Sequence, residues 1–292
     1  VAANVGQTQS KGLEISLKSL NFTGKFKWNT ELSFTRYVDR WLNRDTGSLK
    51  PWQKDDDPIR AYYGYISDGI LKLGEAAPSY MPNLLPGQFK VRDVNGWETD
   101  DFGNPVLDEN GRYKYTGQPD GVLNEADMVL LGTTDPGFSM GFGNSFSYMG
   151  FDLNIFFYGM FDRLVYNATR DKYSFFELRR VLQGQNFLAE VNDSWSSTNT
   201  DSNNPSGIVT TYPQPSSYLM EQGWFIRCKN ITLGYSIPQR LVNRIKMGKI
   251  RFYAEFGNPF VITRYTGNDP ETDFKAGYPN QRSYMFGLNL TF

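Results

Sequence analysis

The sequence predicts an all-β fold, part of a transmembrane antiparallel β-barrel with about seven spanning strands and long extracellular loops. Three observations predict it. First, the stretch Ser283 to Phe292 puts Tyr284, Phe286, Leu288, Leu290 and Phe292 on one face, against Met285, Gly287, Asn289 and Thr291 on the other. This is the two-residue period of a strand, and a closing strand with so apolar a face suits lipid outside it. Second, aromatic residues form 16% of the 292 residues, with 22 Phe, 18 Tyr and 28 Gly, a usage that fits strands and aromatic girdles. Third, short and long connections between strand-like segments alternate, as periplasmic turns and outer loops do. A β-sandwich core would give the same stripes, so that reading stays open here.

Composition excludes other classes. A net charge of −1 gives no support to nucleic-acid binding. Mean hydropathy is −0.50 and no apolar run approaches the ~20 residues of a spanning helix, which excludes a helical membrane protein but not a barrel. There is one cysteine and no histidine, so internal disulfides, Ser-His-Asp and Cys-His nucleophile systems and His-ligated zinc are all excluded. The chain opens on Val1 with no visible signal peptide, and the expectation is processing or a longer parent protein. Asp55, Asp56 and Asp57 read as a solvated acidic loop, since nothing sets the two-carboxyl spacing a glycosidase needs. An enzyme is not expected.

In chain order, Gly12 to Leu20 alternates Leu13, Ile15 and Leu17 against Glu14, Ser16 and Lys18. A turn at 21–24 follows, then a return strand with Phe26, Trp28, Leu32 and Phe34 on one face. From 37 to 136 the alternation fades, leaving short strand-like pieces at Tyr62 to Ile66 and Gln88 to Val91 and a small hairpin tipped by Asn110-Gly111. Alternation resumes with Phe138, Met140, Phe142, Phe146 and Tyr148, interrupted by Asn144, and continues after Met149-Gly150 with Phe151, Leu153, Ile155 and Phe157. Residues 163–222 form a second excursion, its part from Phe175 to Val191 expected to be helical and its part from Ser194 to Ser217 irregular. Strands return with Ile231, Leu233, Tyr235 and Ile237, ending at Pro238, and with Ile250, Phe252, Ala254 and Phe256, before a loop from Asn258 to Arg282.

Counting back from Phe292 on the periplasmic side, connections 258–282, 160–223 and 37–136 fall outside. Those at 238–248, 149–150 and 21–24 fall inside. Seven spanning strands result. Bacterial barrels normally have an even number, so the expectation is that further strands precede Val1.

The residues then become recognisable. Phe225-Ile-Arg-Cys-Lys-Asn-Ile-Thr-Leu-Gly-Tyr-Ser-Ile-Pro238, Phe256-Gly-Asn-Pro-Phe260, Tyr265-Thr-Gly-Asn-Asp-Pro-Glu271 and Tyr278-Pro279 resemble the C-terminal region of SusC-like TonB-dependent transporters of Bacteroidetes. Asn4-Val-Gly6 with Lys11-Gly-Leu-Glu14, Gly64-Tyr65, Ser67-Asp-Gly-Ile70 and Asp93-Val-Asn-Gly96 match in the same order. The resemblance covers essentially the whole chain and implies that residues 1–292 are the C-terminal portion of such a barrel, with plug, TonB box and early strands absent. It implies active import of a bulky nutrient, an oligosaccharide or oligopeptide, across the cell outer membrane. It further implies TonB as the energy source, a SusD-like surface lipoprotein as partner and Phe292 as an assembly signal.

The family pattern Asp-x-Asn-Gly-Asp-Gly-x-Ile/Leu-Asn-x-x-Asp is split here. Asp93-Val-Asn-Gly96 is separated from Asp120-Gly-Val-Leu-Asn-Glu-Ala-Asp127 by 97–119. Oxygen donors at this spacing suit calcium, which takes six to eight oxygens. The candidate ligands are Asp93, Asn95, Asp120, Asn124 and Asp127, with Gly96 and Gly121 making the sharp turns. For the halves to form one loop, the insertion must fold out as the hairpin. Trp52, Tyr63, Trp97, Trp195 and Tyr212 are the loop aromatics expected at a substrate or partner surface, or else packing loops together. Cys228 reads as a passive barrel cysteine. Two other functions stay open: a passive outer-membrane porin or structural barrel, and a carbohydrate-binding β-sandwich.

Overall fold

The computed structural model describes residues 6–44, 49–109, 111–175, 181–206, 215–272 and 277–292. Seven long strands carry the architecture: β1 Gln7–Thr23, β2 Phe26–Asn43, β7 Phe138–Tyr148, β8 Phe151–Phe161, β11 Phe225–Ser236, β12 Lys249–Thr263 and β13 Ser283–Thr291. They form one sheet in the order β1-β2-β7-β8-β11-β12-β13, every neighbouring pair antiparallel. Each strand pairs with the next long strand in the chain, an up-and-down meander.

The connections separate by length. β7 and β8 join through Met149 (φ 48°) and Gly150 (φ 90°), two successive positive φ angles that match the twist of a two-residue hairpin. A Cβ at Gly150 would lie 2.7 Å from the Ser236 carbonyl oxygen, so glycine is required for space as well as for φ. The first hairpin turns at Gly24-Lys25, slightly later than the sequence predicts. Pro238 opens the third short connection, a single helical turn α2, Gln239–Val242. The long connections carry the minor elements: β3 Ala61–Gly64, β4 Ser67–Ile70, β5 Phe89–Val91, β6 Val129–Thr133, β9 Leu164–Tyr166, α1 Ala168–Tyr173 and β10 Met220–Gln222. β3 pairs with β6, β4 with β5 and β9 with β10.

Burial is inverted relative to a water-soluble sandwich. The apolar faces of the wall are open: Leu17 is 58% exposed, Phe142 43%, Phe252 50%, Phe286 77% and Leu288 49%. The buried apolar cluster of Ile70, Phe89, Phe175 and Leu219 lies instead among the loops, with Tyr166, Trp195 and Tyr218 against it. A sandwich would bury those stripes under a second sheet; among the described residues none covers them. The stripes are the lipid face of a barrel wall, and the sandwich reading is set aside.

Bulges shift the faces. In β1 the pairing steps from Leu20–Asn29 to Phe22–Trp28, leaving Asn21 as the extra residue. In β11 both ladders skip Lys229, opposite Asn258-Pro259 of β12. The bulge on β12 also corrects the predicted boundary. The strand does not end at Asn258 but runs to Thr263, because a bulge is where a strand admits proline. Of the helix expected over 175–191, residues 176–180 lie outside the described residues, 181–182 are helical with Leu182 79% exposed, and a 3-10 turn spans Ala189–Asp193.

Candidate transport surface

The inner face of the wall is polar because alternate residues of each strand are. Lys18 pairs with Glu31 at 3.1 Å, and the Ser145 hydroxyl donates to Asn154 at 2.6 Å. These residues with Asn29, Asn230 and Phe156 line a hollow of about 380 Å³. Toward the short-turn end, Arg251 holds Asp152 bidentately, Nε to Oδ1 at 2.9 Å and Nη2 to Oδ2 at 2.5 Å. Its guanidinium lies 5.4 Å from the centre of the Tyr253 ring. Such a surface offers amides, hydroxyls and paired charges, a chemistry suited to a solvated solute rather than to lipid.

A second hollow, about 310 Å³, opens at the loop end between Tyr37, Asp39, Asp135, Asp162, Arg163 and Gln222. Arg60 bonds Asp135 Oδ1 at 2.6 Å, while Asp135 Oδ2 and Arg163 Nε are buried without a hydrogen-bond partner. Burial pulls the Arg163 pKa below the usual arginine range, against nearby carboxylates and phenols that raise it.

Above the wall, the three long connections are fastened to one another. Tyr65 N donates to the Pro215 carbonyl at 2.9 Å and Ser217 N to the Tyr65 carbonyl at 2.9 Å, joining the first connection to the second. Asn167, fully buried, donates to Glu221 at 2.8 Å and to Thr266 at 3.0 Å, joining the second to the third. Arg170 contacts Glu190 at 3.0 Å and Glu221 at 3.6 Å, with Tyr218 beneath it. Arg227 of β11 reaches Asp269 at 2.7 Å and Glu271 at 3.1 Å. Sequence reasoning missed these junctions. The signal was there in part, for Arg227 and Asp269-Pro-Glu271 fall in two of the quoted motifs.

The split Asp/Asn motif does come together. The insertion folds out as a hairpin with bridges Trp97–Tyr115, Thr99–Pro105 and Leu107–Tyr113; Asn110 at its tip lies outside the described residues. Gly96 packs on Asp120, where a Cβ would come within 2.5 Å of Oδ2. Asp127, fully buried, accepts from the amides of Val94 at 2.8 Å, Asn95 at 3.3 Å and Asn124 at 2.9 Å. Asp93 accepts from Asp120 N at 3.3 Å and Gly121 N at 2.7 Å, Asp120 from Val122 N at 2.9 Å, Asn124 from Ala126 N at 2.7 Å and Asn95 from Gly117 N at 2.9 Å. Burial pushes the Asp127 carboxyl up while these amides pull it down, and burial prevails. As arranged, the donors face backbone amides. Among the described residues no group of three or more His, Cys, Asp or Glu gathers; the five expected ligands lie in one loop and accept from its backbone amides.

Of the loop aromatics, Tyr63, Trp97 and Trp195 make contacts within the loop layer. Tyr63 donates to Asp57 at 2.6 Å, and burial pushes its pKa up to about 12. Trp97 lies 4.9 Å from Tyr113 and 4.8 Å from Tyr115 between ring centres. Trp195 packs against the buried cluster, and Trp52 is half-buried. Tyr212 lies outside the described residues. Phe292 is 92% exposed beyond β13, and Cys228 is buried.

No protein-family model matches the chain. TonB-dependent receptor P3 of Formosa agariphila is 27% identical over 323 residues, covering 99% of this chain and 29% of the relative. TonB-dependent receptor SusC of Bacteroides thetaiotaomicron is 24% identical over 99% of this chain and 27% of its own length. Among solved structures, the RagAB peptide transporter superposes with a TM-score of 0.72 at 22% identity, over 99% of this chain and 30% of that one. The fold is a β-barrel wall. The chain spans under a third of the length of each of these relatives.

Proposed function

We propose that this chain is the C-terminal wall and loop layer of an outer-membrane importer that takes up a bulky nutrient, an oligosaccharide or oligopeptide, with energy from TonB. The observation that carries the reading is the pairing of a lipid-facing wall with an interlocked loop layer on one side, in a chain that aligns over 99% of its length with TonB-dependent receptors. A passive pore would serve with open loops. Loops tied by buried groups such as Asn167 and Arg227 favour a capped entrance instead. In this reading a SusD-like lipoprotein covers that entrance, and Phe292 serves as an assembly signal. The role is binding and passage, not catalysis.

The test is uptake of labelled oligosaccharides and oligopeptides by cells carrying the full-length protein. Uptake should stop when TonB is deleted or the proton gradient is collapsed. Uptake that persists in both would establish the passive pore instead.

A further inference from the structure

A short polar row interrupts the lipid face, and Asn144 ends it. Asn144 of β7 lies between Phe142 and Phe146 and pairs with Thr30 of β2 and Ile155 of β8. Its side chain therefore shares the outer face with Leu32, Phe34, Leu153 and Phe157. Trp28 Nε1 donates to Asn144 Oδ1 at 2.9 Å and the Thr30 hydroxyl donates to the same oxygen at 3.1 Å. Indole nitrogen can only donate, which fixes the amide orientation: oxygen toward Trp28, nitrogen away from it.

The contacts continue along the wall in one direction. The Ser19 hydroxyl donates to Asn21 Oδ1 at 2.7 Å, and Asn21 Nδ2 donates to Thr30 Oγ1 at 2.7 Å. Asn21 is the bulged residue of β1, and its extra place in the strand brings its amide level with Thr30. Ser19, Asn21, Thr30 and Asn144 thus form a chain in which each group accepts from the one before and donates to the next. Aligned bonds polarise one another, strengthening the donor at the end of the row. That end is Asn144 Nδ2, whose two N–H groups meet no acceptor among the described residues.

Depth selects the occupant. Asn144 is five residues from the turn at Met149, about 13 Å along the barrel axis for tilted strands. Between it and the turn lies a belt of rings: Phe22 on Trp28 at 5.8 Å, Trp28 on Phe146 at 5.8 Å, Phe26 on Phe146 at 6.3 Å and Phe151 on Tyr235 at 4.5 Å between centres. Aromatic belts lie at the membrane–water interface. Asn144 is one row inside it, at the level where glycerol ester carbonyls meet the acyl chains. An unmet amide there costs several kcal/mol in hydrocarbon, and an ester carbonyl is an acceptor within reach.

We propose that Asn144, oriented by Trp28 and Thr30, is a binding site for the ester carbonyl of a diacyl glycerophospholipid in the leaflet at the short-turn end. The site rests on the barrel-wall assignment and is independent of what the protein imports.

The experiment uses the full-length protein in bilayers of diester phosphatidylcholine and of its diether analogue, which has the same phosphate and chains but no carbonyl. Bound lipid is counted by native mass spectrometry and thermal unfolding is followed by gel migration. Wild type should hold the diester lipid about fivefold more tightly, one hydrogen bond's worth, and unfold at higher temperature in it. Asn144→Leu should fold and lose both differences. No difference in wild type, or one that survives in Asn144→Leu, overturns the proposal. Loss of lipid only when the phosphate is removed would place the headgroup there and overturn it too. So would efficient disulfide formation between copies of Asn144→Cys, which would put a second copy on this face; Cys228 is buried and does not compete. Failure of the barrel assignment itself would show separately, as failure to enter any bilayer.

Discussion

Arg227 and Asp269, 42 residues apart, meet at 2.7 Å with side chains only 3% and 4% exposed. The bulge at Lys229 makes the pairing possible. Strict alternation from Tyr235, Leu233 and Ile231 would turn residue 227 to lipid, and one extra residue turns Arg227 inward opposite Tyr158. Asp269 also accepts from the amides of Glu271 at 2.9 Å and Asn280 at 3.0 Å, so one carboxylate fixes both ends of the third loop. Asp269→Ala leaves the buried Arg227 with Glu271 as its remaining carboxylate, at 3.1 Å, leaves two loop amides without their acceptor, and should cost about 3 kcal/mol. Limited proteolysis of intact cells should then cut within 264–282. An uncut loop would show the pair is dispensable.

The same carboxylate predicts an acid response. Burial pushes the Asp269 pKa up, but the amides of Glu271 and Asn280 and the Arg227 charge outweigh it and hold it below the usual carboxylate value. A depressed folded pKa stabilises above the unfolded value and is lost as pH falls through the folded one. The loop should therefore be fully anchored above about pH 4 and release below it, while Asp269→Asn should lose most of this dependence. Proteolysis rates at a series of pH values, using an acid-active protease, would check it.

The wall was legible in the sequence because a period of two survives over a long run of every spanning strand, and the short and long connections fell at opposite ends of the sheet. What was not legible involves parity breaks and distant pairs. The bulges at Asn21 and Lys229 cost no recognisable residue type, so the strand through Asn258-Pro259 read as a loop. The pair Arg227–Asp269 and the Asn167 junction depend on where loops fold back, which local pattern does not encode. The split Asp/Asn motif was legible as a loop-former. Its oxygens read equally well as ion ligands or as acceptors for amides, and only the folded geometry aims them at the amides.

The lipid face can be tested strand by strand. Arginine at Phe142, Phe252 or Leu288, all on the open side of the wall, should impair insertion, by about 2–4 kcal/mol at Phe142, the deepest of the three, and by less at Phe252 and Leu288, nearer the aromatic belt. Arginine at Ser145, on the opposite face, should cost far less. Heat-modifiable migration after refolding into bilayers separates the outcomes, and normal folding of all three outer-face variants would contradict the assignment.

The Asp93–Asp127 loop should be held by its amide acceptors. Asp127→Ala leaves the Val94, Asn95 and Asn124 amides without their acceptor, a loss on the order of 3 kcal/mol in local stability, and should expose 93–127 to protease. Calcium enters through a second arm. A chelator that speeds cleavage of wild type would add an ion to the staple, and an unchanged rate would leave the amides sufficient.

The partner surface is tested best by loosening the loop layer without shortening it. Lys72 reaches from the first long connection into the second, donating to the Asp201 carbonyl at 3.1 Å and Asn203 Oδ1 at 3.0 Å, with the Ser202 carbonyl also in contact. Trp195, at the start of that segment, packs on the buried cluster, and Gly87 lies against its ring with no room for a Cβ. The segment 195–206 is thus clamped at two points, with Ser197, Thr198, Asp201 and Asn203 exposed, and under the proposed function these would face the lipoprotein. Lys72→Met removes the ammonium and keeps most of the side chain's length, so barrel migration should not change. Protease sensitivity between 195 and 206 should rise, and the surface lipoprotein should co-purify several-fold less. Loosening with undiminished co-purification would place the partner's footprint elsewhere on the loops. Loss of the partner without loosening would point to Lys72 itself as a contact.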